Sequence, residues 1–243
     1  MGTKISSLPY TINASGFYYV TGNLTCSSGN GITVNADDVT IDLMGFCLNG
    51  TSNSIGIHLN GKKNVEARNG TLRGWWFGIH EALQSSVHHR FINLRLQSCD
   101  IGIVSHGYAD LVRGCIALDN SYRGISVGNG SIVSGNQAYN CYTGIITGGT
   151  TINNVVSDCT YGILSGGTTS LNTVINCGTG IYAGSGSIIG NTVDCRSDQT
   201  GILLFCLSPS YILLDQNTVT GGGTHFSSSG DGTIVWGKNA GLP

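Results

Sequence analysis

The sequence has few charged residues, few prolines and no long hydrophobic run. Of its 243 residues, 11 are Lys or Arg and 13 are Asp or Glu, well below the usual share in soluble domains. With 3 prolines, it is neither collagen-like nor proline-rich and disordered. It lacks the run of about 18 apolar residues that spans a bilayer, and it lacks the basic blocks typical of nucleic-acid binding. We therefore expect a folded protein with a polar but weakly charged surface, no membrane span and no nucleic-acid partner.

The cysteines and the N-terminus add two further exclusions. The nine cysteines are odd in number and include no Cys-x-x-Cys pair, so neither a complete disulfide framework nor a zinc site is predicted. Residues 1–10 contain one lysine and no apolar stretch of signal-peptide length, so no export signal is visible in this numbering. We predict no metal and no cofactor.

Glycine, in contrast, supplies 38 residues, and the dipeptide Gly-Ile recurs along the whole chain at spacings of 18 to 25 residues. Between these pairs lie short β-branched runs broken by Gly, Asn, Ser or Thr, without helical periodicity. A unit of this length cannot bury its own apolar side chains. Successive units must therefore stack on one another, with neighbouring strands about 4.8 Å apart. The sequence therefore predicts a parallel β-helix, with Gly-Ile pairs starting at residues 31, 56, 78, 102, 124, 144, 162, 180 and 201.

Stacking aligns equivalent residues of successive coils into columns. The predicted inward aliphatic column contains Ile57, Ile79, Ile103, Ile125, Ile145, Ile163, Ile181 and Ile202. An asparagine column, which we interpret as a structural amide ladder, contains Asn136, Asn154, Asn172 and Asn191. A cysteine column, for which packing is favoured over redox or metal chemistry, contains Cys141, Cys159, Cys177 and Cys195, with Cys99 and Ser121 at the same place in earlier coils.

Three segments carry a family resemblance: ISSLPYTINASGFYYVTGNLT, GITVNADDVTIDLMGFCLNG and NVEARNGTLRGWWFGI. They resemble right-handed parallel β-helix proteins of the pectate-lyase-like superfamily, especially bacterial and viral members. The resemblance implies an all-β, right-handed parallel β-helix of about ten rungs, roughly 45 to 50 Å long at strand spacing. The extent of the repeat divides the chain into an N-terminal cap (1–26), rungs (27–207) and C-terminal rungs with a cap (208–243), and the resemblance implies an extracellular, virion or cell-surface location. It does not imply an activity, because some proteins of this fold catalyse very different reactions and others have no known reaction.

Two enzyme classes of this superfamily fit the acidic residues poorly. A calcium-dependent lyase needs several carboxylates on adjacent rungs, but the acids of this chain are spread over different offsets. A glycoside hydrolase needs two facing carboxylates. Glu81 and Asp100 are the one candidate pair, and strand alternation predicts that Glu81 points inward.

Histidines are concentrated between residues 58 and 113. If each anchor Ile points inward, His58 and His80 lie one above the other on the outer face, with His106 displaced by two residues on the next rung. Together with Asp100 and Arg113, His80 and His106 form a candidate catalytic centre, in which a histidine abstracts a proton alpha to a uronate carboxylate. The alternative is a solvated polar face without chemistry.

A groove for a linear polysaccharide is the stronger feature. Trp76, Tyr122 and Tyr142 occupy outward positions two residues before the glycines, while His58 lies two residues after one. We predict that these four residues bind the glycan and that the glycine column forms a floor without side chains. The alternative is that glycine serves the backbone bend and the tyrosines have no ligand.

An outer aliphatic column predicts a second class of function. If it is exposed, it favours subunit contacts in a homo-oligomeric structural or assembly protein. The two hypotheses are therefore a polysaccharide-directed protein and a non-catalytic assembly solenoid that associates through Ile146, Leu164, Tyr182 and Leu203.

Overall fold

The computed structural model describes residues 2–51 and 53–241, which form 27 strands and no helix. No segment of this part of the chain is therefore a helix long and apolar enough to cross a bilayer. In chain order the strands are β1 (Thr3–Ile5), β2 (Tyr10–Ile12), β3 (Gly16–Val20), β4 (Leu24–Thr25), β5 (Ile32–Val34), β6 (Val39–Asp42), β7 (Cys47–Asn49), β8 (Ile55–His58), β9 (Glu66–Arg73), β10 (Phe77–Glu81), β11 (Arg90–Gln97), β12 (Ile101–Ser105), β13 (Leu111–Arg113), β14 (Ile116–Leu118), β15 (Arg123–Ser134), β16 (Gln137–Tyr139), β17 (Thr143–Ile152), β18 (Val155–Ser157), β19 (Tyr161–Ser165), β20 (Thr169–Ser170), β21 (Thr173–Ala183), β22 (Gly186–Ile189), β23 (Thr192–Phe205), β24 (Tyr211–Asp215), β25 (Thr218–Gly221), β26 (Thr224–Ser229) and β27 (Thr233–Trp236).

Each strand pairs in parallel with its equivalent one coil away, so the chain winds through three sheet faces. Face one carries the Gly-Ile pairs and includes β8, β10, β12 and β19. Face two follows it and includes β6, β13, β22 and β24. Face three completes the coil and includes β7, β14, β16 and β18. The longer strands bend around corners, as β9 and β11 do between faces two and three. The predicted all-β parallel β-helix of about ten turns is confirmed.

Both ends of the chain continue this stacking. Strands β1 to β4, inside the predicted N-terminal cap, pair in parallel with β3, β5, β6 and β7. Strands β24 to β27, inside the predicted C-terminal segment, pair with the coil before them or with each other. The domain boundaries themselves stay a prediction.

The inward aliphatic column is confirmed. All eight predicted isoleucines are fully buried, and they stack in register from one coil to the next, as Ile79 does on Ile103 and Ile103 on Ile125. Every coil therefore contributes the same branched side chain to one continuous core, and the column fixes the register of face one.

The asparagine column is a buried hydrogen-bond ladder, as expected. Nδ2 of Asn154 donates to Oδ1 of Asn172 (3.0 Å) and to the carbonyl oxygen of Val133 (2.9 Å), while its Oδ1 accepts the backbone N–H of Asn136 (2.9 Å). The same pattern continues through Asn191 and beyond. Each amide thereby satisfies backbone groups that a corner would otherwise leave unpaired.

The cysteine column is buried and its thiols are free, but one predicted member is wrong. Ser121 is exposed, and the buried side chain of that coil is Asn120. Nδ2 of Asn120 donates to the carbonyl oxygen of Leu96 (3.1 Å), and its Oδ1 accepts the backbone N–H of Cys99 (3.0 Å). A larger polar residue one position earlier therefore fills the space that a thiol fills elsewhere.

The ladder yields a stability prediction. Asn154→Ala leaves the backbone N–H of Asn136 and the carbonyl of Val133 without these partners, so we expect the free energy of unfolding to fall by about 3 kcal/mol. Gln137→Ala, at an exposed position on face three, is the control and should change it by less than about 0.5 kcal/mol. Urea denaturation of both variants measures the difference. Equal losses in the two variants would contradict a structural role for the ladder.

Candidate functional site

The outer surface of face one carries three parallel rows of side chains. The aromatic row lies two residues before each anchor glycine, and the histidine row lies two residues after it. A middle row immediately precedes the glycines and is aligned by the strand register. The two outer rows are four residues apart along the strands, about 13 Å at about 3.3 Å per residue. The aromatic row contains Trp76, Asp100, Tyr122 and Tyr142; the middle row Phe77, Ile101, Arg123, Thr143 and Tyr161; the histidine row His58, His80, Val104 and Ser126.

The first coils of this surface form a continuous cluster of rings. The Trp76 ring lies 4.5 Å from the Phe77 ring, which lies 4.5 Å from His80. His80 lies 5.6 Å from His58, its partner in the strand register, so the predicted stacking of these two histidines is confirmed. Trp76 is 48% exposed, whereas Trp75 is fully buried and donates from Nε1 to the carbonyl of Leu48. The consecutive residues Trp75 and Trp76 thus place one tryptophan in the core and one on the surface.

A second ring cluster follows two coils later. Tyr122 and Tyr142 stack with centroids 5.8 Å apart, and Tyr161 meets Tyr142 edge-on at 5.6 Å. The guanidinium of Arg123 lies 4.8 Å above the Tyr122 ring. Tyr122 and Tyr142 are 47% and 46% exposed, so each offers a ring face or edge to a ligand. Asp100 separates the two clusters, and its carboxylate accepts a hydrogen bond from the Ser121 hydroxyl (3.0 Å).

The glycines do not form the floor of this surface, and that prediction is wrong. Gly78 and Gly124 are buried, and a Cβ atom on either would lie 2.5 or 2.6 Å from the carbonyl oxygen of the next coil's glycine. Strict alternation would turn each glycine outward, but the glycine and the following isoleucine both face inward. The middle row therefore forms the floor, with Phe77 and Arg123 on the surface between the outer rows.

The surface is a groove with a wall along the histidine row. Val104 and Ser126 point outward yet are only 3% and 6% exposed, so neighbouring side chains rise above them. Gln84, His106 and Tyr108 stand beside Ser126 around a cavity of about 250 Å³. The segment 82–89, which supplies Gln84, is thus part of the groove wall.

A buried carboxylate holds this wall in place. Glu81 points inward, as predicted, and accepts the backbone N–H groups of Gly61 (2.8 Å) and Leu83 (2.7 Å). It therefore anchors two loops instead of facing Asp100 across a glycosidic bond. The structure gives the Glu81 and Asp100 pair no hydrolase geometry.

A second buried group lies behind the wall. The Asp110 carboxylate accepts the Ser105 hydroxyl (2.6 Å) and the backbone N–H of His89 (2.8 Å), and burial raises its pKa. His89 is fully buried, and its Nδ1 accepts the backbone N–H of Val65. Burial lowers the pKa of His89 to about 4. Both side chains therefore support the groove wall from inside.

The structure brings three of the four predicted catalytic residues to the groove. Burial is the main reason that the pKa of His80 is lowered. The nearby charges of His58 and His106 lower it further. Nδ1 of His80 is buried without a hydrogen-bond partner among the described residues. Asp100 lies in the opposite row, about 13 Å away along the strand direction. Arg113 is not in the groove, because it lies at the end of β13 on face two beside Ile92 and Ser134.

The described residues hold no group of three or more His, Cys, Asp or Glu side chains arranged to bind a metal. The stacked pair His58 and His80, with His106 nearby, therefore offers imidazoles to solvent and ligand without a closed coordination shell.

The predicted apolar column is in register but half-buried. A group of strongly exposed apolar side chains lies instead near the C-terminal end of face two, where Tyr211 is 69% and Val235 51% exposed. They border a cavity of about 380 Å³ together with Leu213. Sequence periodicity missed this patch, since the coil from residue 206 departs from the repeat.

Comparison with known proteins identifies the fold. No protein-family model and no curated protein matches the sequence. Among solved structures, the chain is similar to the A-modules of two mannuronan C-5 epimerases of Azotobacter vinelandii. AlgE4 matches with a TM-score of 0.54 and 15% identity, over 93% of this chain and 88% of that one. AlgE6 matches with a TM-score of 0.58 and 13% identity, over 93% and 87%. Endopolygalacturonase I of Stereum purpureum has a TM-score of 0.49 and 13% identity, over 95% and 94%. The two epimerase modules confirm the right-handed parallel β-helix fold.

The buried His89 yields a prediction for stability against pH. Its pKa is lower in the folded chain (about 4) than in the unfolded chain (about 6.5), so protonation favours unfolding. Its contribution is complete above pH 6.5, and about 3 kcal/mol should be lost as the pH falls toward 4. The raised pKa of Asp110 acts in the opposite direction, so the measurement is the difference between wild type and His89→Gln across this range. Parallel curves for the two proteins would contradict a neutral buried His89.

Proposed function

We propose that the groove of face one binds an extended polysaccharide, with its exposed aromatic rings stacked against sugar rings. The observation that carries the proposal is the row of three half-exposed aromatic side chains, Trp76, Tyr122 and Tyr142, along the solenoid axis. The apolar faces of these rings, held on a rigid sheet, suit the apolar faces of pyranose rings. Stacking against a sugar removes the exposed aromatic surface from water, which is favourable.

The arrangement favours a polymer over a monosaccharide. Trp76 and Tyr122 are two coils apart, about 10 Å at strand spacing, and Tyr142 is one coil further. A ligand that contacts all three must run along the axis across several coils. The groove wall at Gln84, His106 and Tyr108 limits such a ligand on the other side.

The two epimerases with the same fold act, by their names, on the polysaccharide mannuronan, which agrees with this class of ligand. The shared fold supports the proposal at the level of a polysaccharide-directed protein. The sugar and any reaction are assigned from the residues of this chain.

Within this proposal, His80 is the residue that would accept a proton from a bound uronate. Its lowered pKa keeps the imidazole neutral near pH 7, as a general base requires. Arg113 has no part in this site. Arg123, on the middle row, is the guanidinium that meets a substrate carboxylate in the groove, and sequence reasoning missed it.

The groove yields a binding prediction. Trp76→Ala should weaken polysaccharide binding by about 1 to 3 kcal/mol, because it removes a ring that stacks on sugar. Trp236→Ala is the matched control, since Trp236 is 45% exposed on the last coil, away from the groove, and this variant should bind as wild type does. A screen of immobilised polysaccharides, followed by titration calorimetry on any ligand found, measures both.

Thermal unfolding separates a binding role from a folding role. Trp76→Ala should leave stability nearly unchanged, whereas Trp75→Ala should lose about 3 to 5 kcal/mol because its ring is fully buried. Equal binding by wild type and Trp76→Ala would refute the groove as the glycan site.

Subunit assembly is a second candidate function, and it is favoured by the exposed patch of Tyr211, Leu213 and Val235. Apolar side chains grouped around a cavity commonly mark an interface. If the patch joins copies of this chain, light scattering after size exclusion should give an oligomer for wild type and a monomer for Tyr211→Ser. Phe17→Ser, on the N-terminal coils, should leave the mass unchanged. A monomeric wild type over a wide concentration range would remove this candidate.

A further inference from the structure

Arginine is unevenly distributed over this fold. Strands β9, β11 and β13 carry five of the seven arginines of the chain, and Glu66 is their one acidic residue. The chain as a whole has a net charge of −2. Three neighbouring strands on faces two and three therefore form a basic surface on an otherwise weakly acidic protein.

The nearby carboxylates are already paired with two of these arginines. Arg68 contacts Asp42 (2.8 Å) and Glu66 (2.7 Å), and Arg90 contacts the other oxygen of Glu66 (2.7 Å). Asp42 and Glu66 are almost fully buried by these contacts. They are the carboxylates that face this surface, and both are neutralised by their partners.

The other three arginines of the surface remain available to a ligand. Arg73, Arg95 and Arg113 are exposed, and none of them forms an ion pair within residues 2–51 and 53–241. Arg73 donates a hydrogen bond to Oε1 of Gln97 (3.2 Å), which orients its guanidinium along face three. The strand of Arg95 lies between those of Arg73 and Arg113, so Arg95 has an unpaired guanidinium on the coil to either side.

A cavity of about 340 Å³ opens beside Arg95, at the corner between faces two and three. Its lining includes the polar side chains of Asn69, Asn93 and Thr71. Gly114, which has a φ of 64°, also lines it, and a Cβ atom there would lie 2.6 Å from Oδ1 of Asn93. The site thus combines a recess, a free guanidinium and neutral hydrogen-bonding groups.

We propose that this cavity binds an acidic sugar residue, with its carboxylate or sulfate group on Arg95. A planar guanidinium matches both groups through two parallel hydrogen bonds, and the amides can hydrogen-bond hydroxyls. Arg73 and Arg113 extend the positive surface to neighbouring residues of the same polymer. Nucleic acid fits less well, because a few cations without aromatic platforms give few phosphate contacts and no base stacking.

This site is distinct from the groove of face one and does not depend on its function. The test measures binding of a galacturonate oligomer and of dextran sulfate to the full chain by titration calorimetry, with neutral dextran as the uncharged probe. Preference for the first or the second probe distinguishes a carboxylate from a sulfate ligand. We expect Arg95→Gln to weaken binding of the preferred probe about tenfold or more, and Arg95→Lys to recover part of it.

Arg196→Gln is the matched control, because it removes one exposed guanidinium outside the basic surface and should leave the affinity unchanged. Arg73→Gln is a second variant, with a smaller expected loss, should Arg95→Gln lower the melting temperature. In the Trp76→Ala background, which weakens the groove, binding of the preferred probe should still depend on Arg95, and this separates the site from the groove. Equal affinity of wild type and Arg95→Gln, equal losses in Arg95→Gln and Arg196→Gln, or stronger binding of duplex DNA than of both anionic glycans would overturn the proposal.

Discussion

The close approach of successive coils at the Gly-Ile pairs is the constraint on which the rest of the structure depends. At Gly78 and Gly124, a Cβ atom would lie within 2.5 or 2.6 Å of a backbone oxygen of the next coil. Any side chain there would separate two coils and break the register that aligns the isoleucine column. Since the same register aligns the outer rows, the glycines position the groove although none of them lines it.

Strict stacking makes the outer surface independent of the core. Inward positions repeat the same residue types from coil to coil, whereas outward positions change freely because they do not affect the register. Face one thereby carries rings and histidines, and the corner between faces two and three carries arginines. Segment 82–89 adds a wall to one side of the groove, held from inside by the buried carboxylate of Glu81. A uniform scaffold can in this way present chemically different sites on separate faces.

The spacing of the Gly-Ile pairs was sufficient to predict the coils, the buried isoleucines, the asparagine ladder and the stacking of His58 on His80. Predictions failed where they assumed strict alternation. Glycine and isoleucine both turn inward, so no glycine floor exists, and Asn120 replaces Ser121 in the core. Arg113 was misplaced because the loops between faces differ in length, so offset from the anchor does not reveal the face. The arginine surface was missed for a related reason. Arg73 and Arg95 are 22 residues apart, as His58 and His80 are, but neither arginine lies beside the glycine of a Gly-Ile pair, from which the rows were counted.

The central claim is that a polysaccharide binds along the aromatic row of face one. The three tryptophans offer a direct measurement, because Trp75 is buried, Trp76 lies in the groove and Trp236 lies on the last coil. Fluorine NMR of protein labelled with 5-fluorotryptophan, assigned by single substitutions and titrated with a binding polysaccharide, reports on each position separately. We predict that the Trp76 resonance shifts in a saturable manner while that of Trp236 stays in place. A polysaccharide that binds the Arg95→Gln variant and shifts Trp236, or leaves Trp76 unchanged, would contradict the account.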